Sequence, residues 1–379
     1  MTKSQSKSAG KYERLIGQLE KARNMLIIMQ DHPDPDAVAS AAALRRIANQ
    51  RKIPCWIVHG GMVGRTENRS LVKYLDLKLR RLDQVNLDSF DRIALVDTQP
   101  GTGNNPLPQN VEADIVIDHH PIHSTTRSVG FTDIRSSYGA TATILCEYLQ
   151  VAEIEPEPPL ATALLYGIIS DTQDLGRRAR KVDLESYFYL SQRANMRMLS
   201  GIQHGPLPKP YYRHLYTALD NASMFGNCIM THLGSLDIPD STGEIADLLV
   251  RHEEVEWCLC TGVFEHQLLL SLRAHPGGHK NAGHVIAKLV GSRGTGGGHH
   301  YLAGGQIELQ SETKAELEEL LQFLLRRMKK LLHKEKSHAM PLISHPNPPP
   351  LISNFPVQML YSRLYICGVI LSIGACSYG

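Results

Sequence analysis

Three short stretches hold the residues that could do chemistry. Met29-Gln-Asp-His-Pro-Asp-Pro-Asp36 packs Asp31, Asp34 and Asp36 around His32, Val96-Asp-Thr98 presents Asp97, and Ile117-Asp-His-His120 sets Asp118 beside two imidazoles. Each follows an apolar run, at 25–29, 92–96 and 113–117, and a fourth acid, Asp171, follows the apolar stretch 166–170. Singly, each has a bland explanation: Asp34 and Asp36 as helix caps, Asp97 as a turn residue, the His pair as surface. Four acid clusters at four apolar-run ends exceed what capping requires. Ligands of open parallel sheets sit beyond the carboxyl ends of the strands, so these clusters would converge in space. Crowded carboxylates oppose folding unless positive charge holds them, and a pair of divalent cations supplies it. Mixed Asp/His ligation suits manganese, with magnesium, cobalt or zinc competing. Two such ions about 3.5–4 Å apart form a centre for in-line phosphoryl displacement.

The elements that must position these groups alternate. Strands are expected at 25–29, 55–58, 92–96 and 113–117, with an alanine-rich helix from Ala37 between the first two. Short, uniformly apolar strands alternating with helices predict a doubly wound, mostly parallel α/β sheet. Further helices are expected at 140–150, 160–169 and 183–200. The three prolines of 205–210 read as an interdomain break. Beyond it, 228–234, 257–264 and 268–274 read as strands, 242–250 as a helix, 294–305 as a Gly-rich loop followed by a helix or strand, and 312–335 as an amphipathic helix whose basic end suits its dipole. The expected organisation is a helical extension (1–22), a catalytic domain (23–200), a linker (201–214), a smaller α/β domain with a mixed sheet (215–335), and a Pro-rich and apolar tail (336–379) that need not pack.

Bulk properties exclude several classes. With 379 residues, 42% hydrophobic and 21% charged, the chain supports two cores, and a net charge of +2 carries no global polyanion-binding signature. Seven cysteines, an odd number with only a C-x-C pair at 258 and 260, read as buried thiols of a cytoplasmic protein rather than a disulfide framework or zinc site. The polar N-terminus has no apolar signal core. The tail's apolar run is short for a membrane span, leaving only a weak tail contact with lipid in question.

Pro-Asp-Pro-Asp-Ala (33–37), Val-Asp-Thr (96–98), Asp-His-His (118–120) and Ser-Asp-Thr (170–172), in that order, resemble motifs I to IV of the DHH phosphoesterases. This superfamily includes RecJ-type nucleases, family II pyrophosphatases, exopolyphosphatases, cyclic-dinucleotide phosphodiesterases and nano-RNase/pAp-phosphatase proteins. Gly-Arg-Thr-Glu-Asn (64–68) resembles a helix of the nano-RNase-like branch. Glu-Ile-Ala-Asp-Leu-Leu (244–249), Ser-Leu-Arg-Ala (271–274) and Gly-Gly-Gly-His-His-Tyr-Leu-Ala-Gly-Gly (296–305) resemble the DHH-associated C-terminal domain. The resemblance covers roughly 20–335.

It implies that Asp34 and Asp97 hold a first cation, and Asp36, Asp97, His119 and Asp171 a second, with Asp97 bridging. Asp118 would orient the imidazoles, and His120 would face the phosphate or leaving oxygen. The family's histidine four residues before the first Asp of the pair is Gln30 here, so either Gln30 or His32 completes the first site. Arg273, Gly296, Gly297, Gly298 and His299 would grip the substrate phosphate, through a guanidinium fork and approachable backbone N–H groups. The expected activity is two-metal hydrolysis, with manganese first and magnesium or cobalt as alternatives. The expected substrates are short nucleotidic phosphoesters, oligoribonucleotides or 3′-phosphoadenosine 5′-phosphate, with no duplex DNA; a homodimer is compatible. A pyrophosphatase or exopolyphosphatase is the enzymatic alternative, and a nucleotide- or nucleic-acid-binding protein with impaired catalysis is the alternative of another class. The basic run 176–181 could attract a polyanion or be a solvated face.

Overall fold

The computed structural model describes residues 3–176, 179–275, 281–298, 300–311 and 313–343. Six strands, β1 (Met25–Ile28), β2 (Cys55–His59), β3 (Leu79–Arg81), β4 (Arg92–Val96), β5 (Ile115–Asp118) and β6 (Phe131–Ile134), form one sheet in the order β3-β2-β1-β4-β5-β6. Every pairing in it is parallel. The order reverses between β1 and β4, which makes that border the switch point of a doubly wound sheet. β1 shows why its residues are all apolar: Met25 and Ile27 face one core and Leu26 and Ile28 the other, as a strand's period of two dictates.

The first core is roofed by α1 (Lys3–Leu19), α2 (Pro35–Gln50), α3 (Thr66–Tyr74), α4 (Thr141–Val151), α5 (Pro158–Thr172), α6 (Lys181–Ser191) and α7 (Met196–Gln203). The opposite face is closed by irregular chain through Val85, Leu87, Phe90, Leu107 and Val111. The small residues of α2 let α5 come close. A Cβ at Gly167 would lie 3.2 Å from Asp36 Cα, so the start of α2 rests on the middle of α5. A buried ion network ties α1 to this lobe: Arg135 Nη2 bonds Asp133 Oδ2 at 2.6 Å and Arg135 Nη1 bonds Glu147 Oε2 at 2.5 Å. Ser8 Oγ donates to the same Glu147 oxygen at 2.5 Å.

The second lobe contains α8 (Lys209–Asn221), β7 (Ser223–Phe225), β8 (Cys228–Ser235), α9 (Ser241–Leu249), β9 (Trp257–Phe264), β10 (Gln267–Ala274), α10 (Ala282–Val290), β11 (Gly294–Gly298), β12 (Leu302–Glu308), α11 (Lys314–Leu331) and β13 (Met340–Pro341). Its sheet runs β11-β12-β10-β9-β8-β7-β13 and is mixed: β8 and β9 are parallel, with α9 as their crossover, and the other pairs are antiparallel. α10 and α11 cover one face and α8 and α9 the other.

Four expectations change. The single helix over 183–200 is two, broken where Asn195 caps α7 by accepting from Met198 N at 3.1 Å. The break at 205–210 is already helical from Lys209, because Pro210 occupies the first turn, where its missing N–H costs nothing. The Gly-rich segment is strand β11 rather than a loop, and of the helix or strand expected after it the chain forms strand β12. Gly296 stands opposite Gly305 and Gly297 opposite Gly304, and a Cβ at Gly283 of α10 would collide with the Gly298 carbonyl, so the glycines allow a close helix–strand approach. The tail's beginning packs: Met340 and Pro341 pair with β7, and Leu342 N donates to Ala222 O at 2.8 Å. The remainder of the tail, from 344, lies outside the described residues.

The described cysteines are free, and burial pushes Cys55 up to about 12 and Cys146 to about 11, so both stay thiols. Among the described residues no helix is long and apolar enough to cross a membrane.

Candidate metal centre

The carboxyl ends of β1, β4 and β5 open onto one crevice, which the N-termini of α2 and α4 and the C-terminus of α5 also reach. Asp34 is the N-cap of α2, its Oδ1 accepting from Ala37 N at 2.9 Å. Asp36 is fully buried and takes both first-turn amides of α4, Thr141 N on Oδ2 at 2.6 Å and Ala142 N on Oδ1 at 2.7 Å. Asp97 directly follows β4 with φ +59°, a left-handed conformation that strains most side chains. Its Oδ1 accepts from Thr141 Oγ1 at 2.9 Å. Asp171 lies in the last turn of α5.

His119 joins these acids. Its Nε2 lies 3.1 Å from Asp171 Oδ2, 3.6 Å from Asp97 Oδ1 and 4.0 Å from Asp36 Oδ2. That buried nitrogen has hydrogen-bond geometry with no neighbour, while Nδ1 sits 3.3 Å from the Tyr138 carbonyl. The His120 Nδ1 bonds Asp118 Oδ1 at 2.8 Å and lies 3.7 Å from Asp97 Oδ1. Asp118 in turn accepts from Gln99 Nε2 at 2.6 Å, so it orients His120 rather than His119. Two groups offer ligand atoms within 4.8 Å of one another, Asp97/His119/His120 and Asp36/His119/Asp171.

The electrostatics tests whether cations fit. Burial pushes Asp36 and Asp97 far above the usual carboxylate range, and their acidic neighbours add to it. Asp34 rises to about 6, through burial and then Asp171. Burial alone would lower His119, but Asp171, Asp36 and Asp118 carry it up to about 10. Asp118 is the exception: burial would raise it, yet the bond and charge of His120 hold it below its ordinary value. Burial thus disfavours negative charge on these carboxylates unless protons or cations balance it. Divalent cations bound there would satisfy the same carboxylates and the His119 nitrogen, which makes no well-aligned hydrogen bond, so the donor set fits them.

The cluster borders a cleft of about 910 Å³ between the lobes, lined on one side by Gln30, His32 and Asp34, and on the other by Arg273, Gly296, Gly297 and Gly298. Arg273 and Gly296–Gly298 thus stand where a substrate could meet them; His299 lies outside the described residues, as do 177 and 178 of the basic run. His32 does not turn toward the acids. It is exposed, its Nδ1 sits 3.3 Å from the Met62 carbonyl, and its ring fills the space beside the bare Cα of Gly61. The expectation of His32 as a substitute ligand is therefore corrected: the bare Cα of Gly61 leaves room for the ring, and it sits there against Met62 rather than among the acids.

Sequence reasoning missed several supports. Thr141 binds both Asp36 and Asp97, and no spacing signal marks it. Arg65, at the N-cap of α3, reaches across the cleft to Asp247 Oδ2 at 3.5 Å, and Arg273 bonds the other oxygen of the same carboxylate. A run of mixed polarity in 64–68 gave no hint of that bridge.

Residues 24–168 match the model of the DHH family, N-terminal domain. Over those residues, which carry β1 to β6 and α2 to most of α5, the chain is similar to that family. It is 33% identical over 292 residues to an uncharacterized protein of Methanocaldococcus jannaschii, a match covering 76% of this chain and 59% of that relative. Two solved structures share the fold. An exopolyphosphatase-related protein from Bacteroides fragilis superposes with a TM-score of 0.65 at 14% identity, over 86% of this chain and 98% of its own. RecJ from Thermus thermophilus, in complex with Mn2+, superposes with a TM-score of 0.50 at 12% identity, over 87% of this chain and 55% of its own.

Proposed function

We propose that the chain is a metal-dependent phosphoesterase acting on short nucleotidic phosphoesters, oligoribonucleotides of a few residues or 3′-phosphoadenosine 5′-phosphate. The observation that carries the reading is the gathering of Asp36, Asp97 and Asp171 around the buried His119 Nε2, beside Asp34, which lines a cleft whose far wall holds an arginine and a glycine-rich strand. Asp34, Asp36, Asp97, His119 and Asp171 would hold the cations, manganese first. Bound there, the ions supply a water of lowered pKa and polarise the phosphoryl oxygens. Arg273 would bind a phosphate oxygen, with Asp247 fixing its guanidinium. His120, oriented by Asp118, would give a proton to the leaving oxygen. The glycine backbone of β11 would let the substrate lie flat against the second lobe.

The cleft's composition favours a nucleotide over a bare phosphate chain. Leu269, Leu270, Leu302 and Pro239 line it, and its two guanidiniums already share Asp247. A polyphosphate carries charge on every unit and needs more cationic groups than that. One observation favours the second reading, a pyrophosphatase or exopolyphosphatase: no described residue lining the cleft is Phe, Tyr or Trp, and Tyr301 packs on the second lobe's core.

The test offers manganese-loaded protein a fluorescent diribonucleotide, 3′-phosphoadenosine 5′-phosphate and pyrophosphate in parallel. Turnover of either nucleotide, lost with EDTA and in His119→Ala, is expected. Turnover of pyrophosphate alone selects the second reading. Tight nucleotide binding without turnover of any substrate would overturn both in favour of a binding protein.

A further inference from the structure

A carboxylate beside an arginine favours the fork in which its two oxygens take two parallel N–H groups of one guanidinium. Asp247 does not make that fork with Arg273. Arg273 Nε donates to Asp247 Oδ1 and Nη1 to the Leu272 carbonyl at 3.2 Å, while Nη2 donates no hydrogen bond among the described residues. The other carboxylate oxygen is drawn across the cleft, where Arg65 Nη2 lies 3.5 Å from Oδ2. Gly243 stands one turn of α9 before Asp247, on the same face of the helix. A Cβ there would lie 3.0 Å from Arg273 Nη2 and 3.0 Å from Arg65 Nη2, so both nitrogens face one small space that a side chain would fill. Arg65, Gly243 and Arg273 all line the cleft.

The turn that carries Arg65 is seated on both lobes. On the second lobe's side, a Cβ at Gly64 would collide with the Asp240 carboxylate. On the first lobe's side, Arg69 bonds the Gly64 carbonyl and the Thr66 hydroxyl, and the buried Asn68 Nδ2 donates to the Pro33 carbonyl at 2.9 Å. We infer that Arg65 is a positioning residue for the phosphate grip: by holding Asp247 Oδ2 from the first lobe, it leaves Arg273 Nη2 for a phosphate oxygen. The Asp247 side chain is 40% exposed and has room to turn. Without Arg65, or with the lobes apart, it swings both oxygens onto Arg273 and closes that edge. The grip is therefore armed only when α3 meets α9, and a first-lobe residue governs substrate affinity without touching substrate. This rests on the phosphoesterase reading for the role of Arg273 and adds what controls it.

The experiment is a double-mutant cycle on the affinity of 3′-phosphoadenosine 5′-phosphate for full-length protein, measured by calorimetry in chelator, where no metal-dependent turnover intervenes. Expected is binding weaker by about tenfold or more in Arg273→Ala, by about three- to tenfold in Arg65→Ala, and no further loss in the double variant. Arg65→Lys keeps a cation beside Asp247 Oδ2 and should bind within about threefold of the unsubstituted protein. A part-exposed ion pair adds little stability, so the melting temperatures should barely move. Losses that multiply in the double variant would mean that Arg65 acts on its own, and unchanged affinity in Arg65→Ala would mean that the bridge is idle. Either result overturns the inference, as does an unsubstituted protein that binds none of the compound. Turnover of the same compound with manganese is scored separately, so a protein that binds as expected and does not hydrolyse overturns the hydrolase reading alone.

Discussion

Thr141→Val isolates one bond at the centre of the site. The Thr141 hydroxyl donates to Asp97 Oδ1 at 2.9 Å, and the residue is fully buried, so the isosteric change removes the donor and admits no water in its place. The bond's strength depends on the charge of Asp97. With a cation bound, the carboxylate is ionised, and a hydrogen bond to a charged group contributes about 1.5–3 kcal/mol. Without one, burial and the neighbouring acids favour the protonated form of Asp97, and a bond to a neutral group contributes about 0.5–1.5 kcal/mol. The substitution should therefore weaken manganese binding by about 5- to 12-fold, from the difference of about 1–1.5 kcal/mol between those two figures at about 1.4 kcal/mol per tenfold. It should lower the urea-unfolding free energy in chelator by no more than about 1.5 kcal/mol. Calorimetry of manganese binding and paired urea melts, with metal and with chelator, measure both. Unchanged manganese affinity, or equal losses of stability in the two melts, would refute the reasoning.

Arg135→Ala leaves Asp133 and Glu147 buried with one cation fewer between them, and breaking such a network costs about 3–5 kcal/mol; a urea midpoint within error of the unsubstituted protein would contradict it. Glu244 is carried up to about 7 by burial, with Glu67 and Asp240 adding and Arg65 opposing. The folded state thus holds this proton more tightly than the unfolded chain, whose carboxyl titrates near 4.5, so the stabilisation is complete below that pH and is lost as pH rises through about 7. Glu244→Gln should flatten the fall in melting temperature across that window, and an unaltered slope would remove Glu244 as its source. Arg273→Ala should raise KM for phosphoester substrates by about tenfold or more, as loss of a charge-assisted bond implies, with a smaller effect on kcat; an unchanged KM would take Arg273 out of the binding site.

Strands and helices with strong apolar signals were legible. The run 257–264 is β9 to the residue, and β1, β2, β4 and β8–β10 lie within two residues of their expected bounds. β3 and β6 were not seen, for a physical reason. Leu-Arg-Arg and Phe-Thr-Asp-Ile sit at the sheet's two edges, where one side needs no partner and apolar residues thin out. The acids and His119 were legible because several of them end buried elements, where charge has no structural excuse. The supports Thr141 and Gln99 were not: they act through a few hydrogen bonds each, and a lone hydroxyl or amide carries no periodicity. The glycine strand was misread because a low strand propensity is outweighed there by α10 packing against a backbone without side chains.

The positive φ of Asp97 has a bearing on how such a site persists or decays. Left-handed backbone is open to Gly and Asn as well as Asp, and Asn would keep the side-chain oxygen that Thr141 uses. Asn would also relieve the burial of an acid among acids. By the standard of folding alone, position 97 would be better filled by a neutral amide. A drift to Asn would therefore yield a more stable chain with an intact outline and a silent centre. A DHH-like sequence is best judged alive or inert at the one strand end where stability and chemistry ask for different residues.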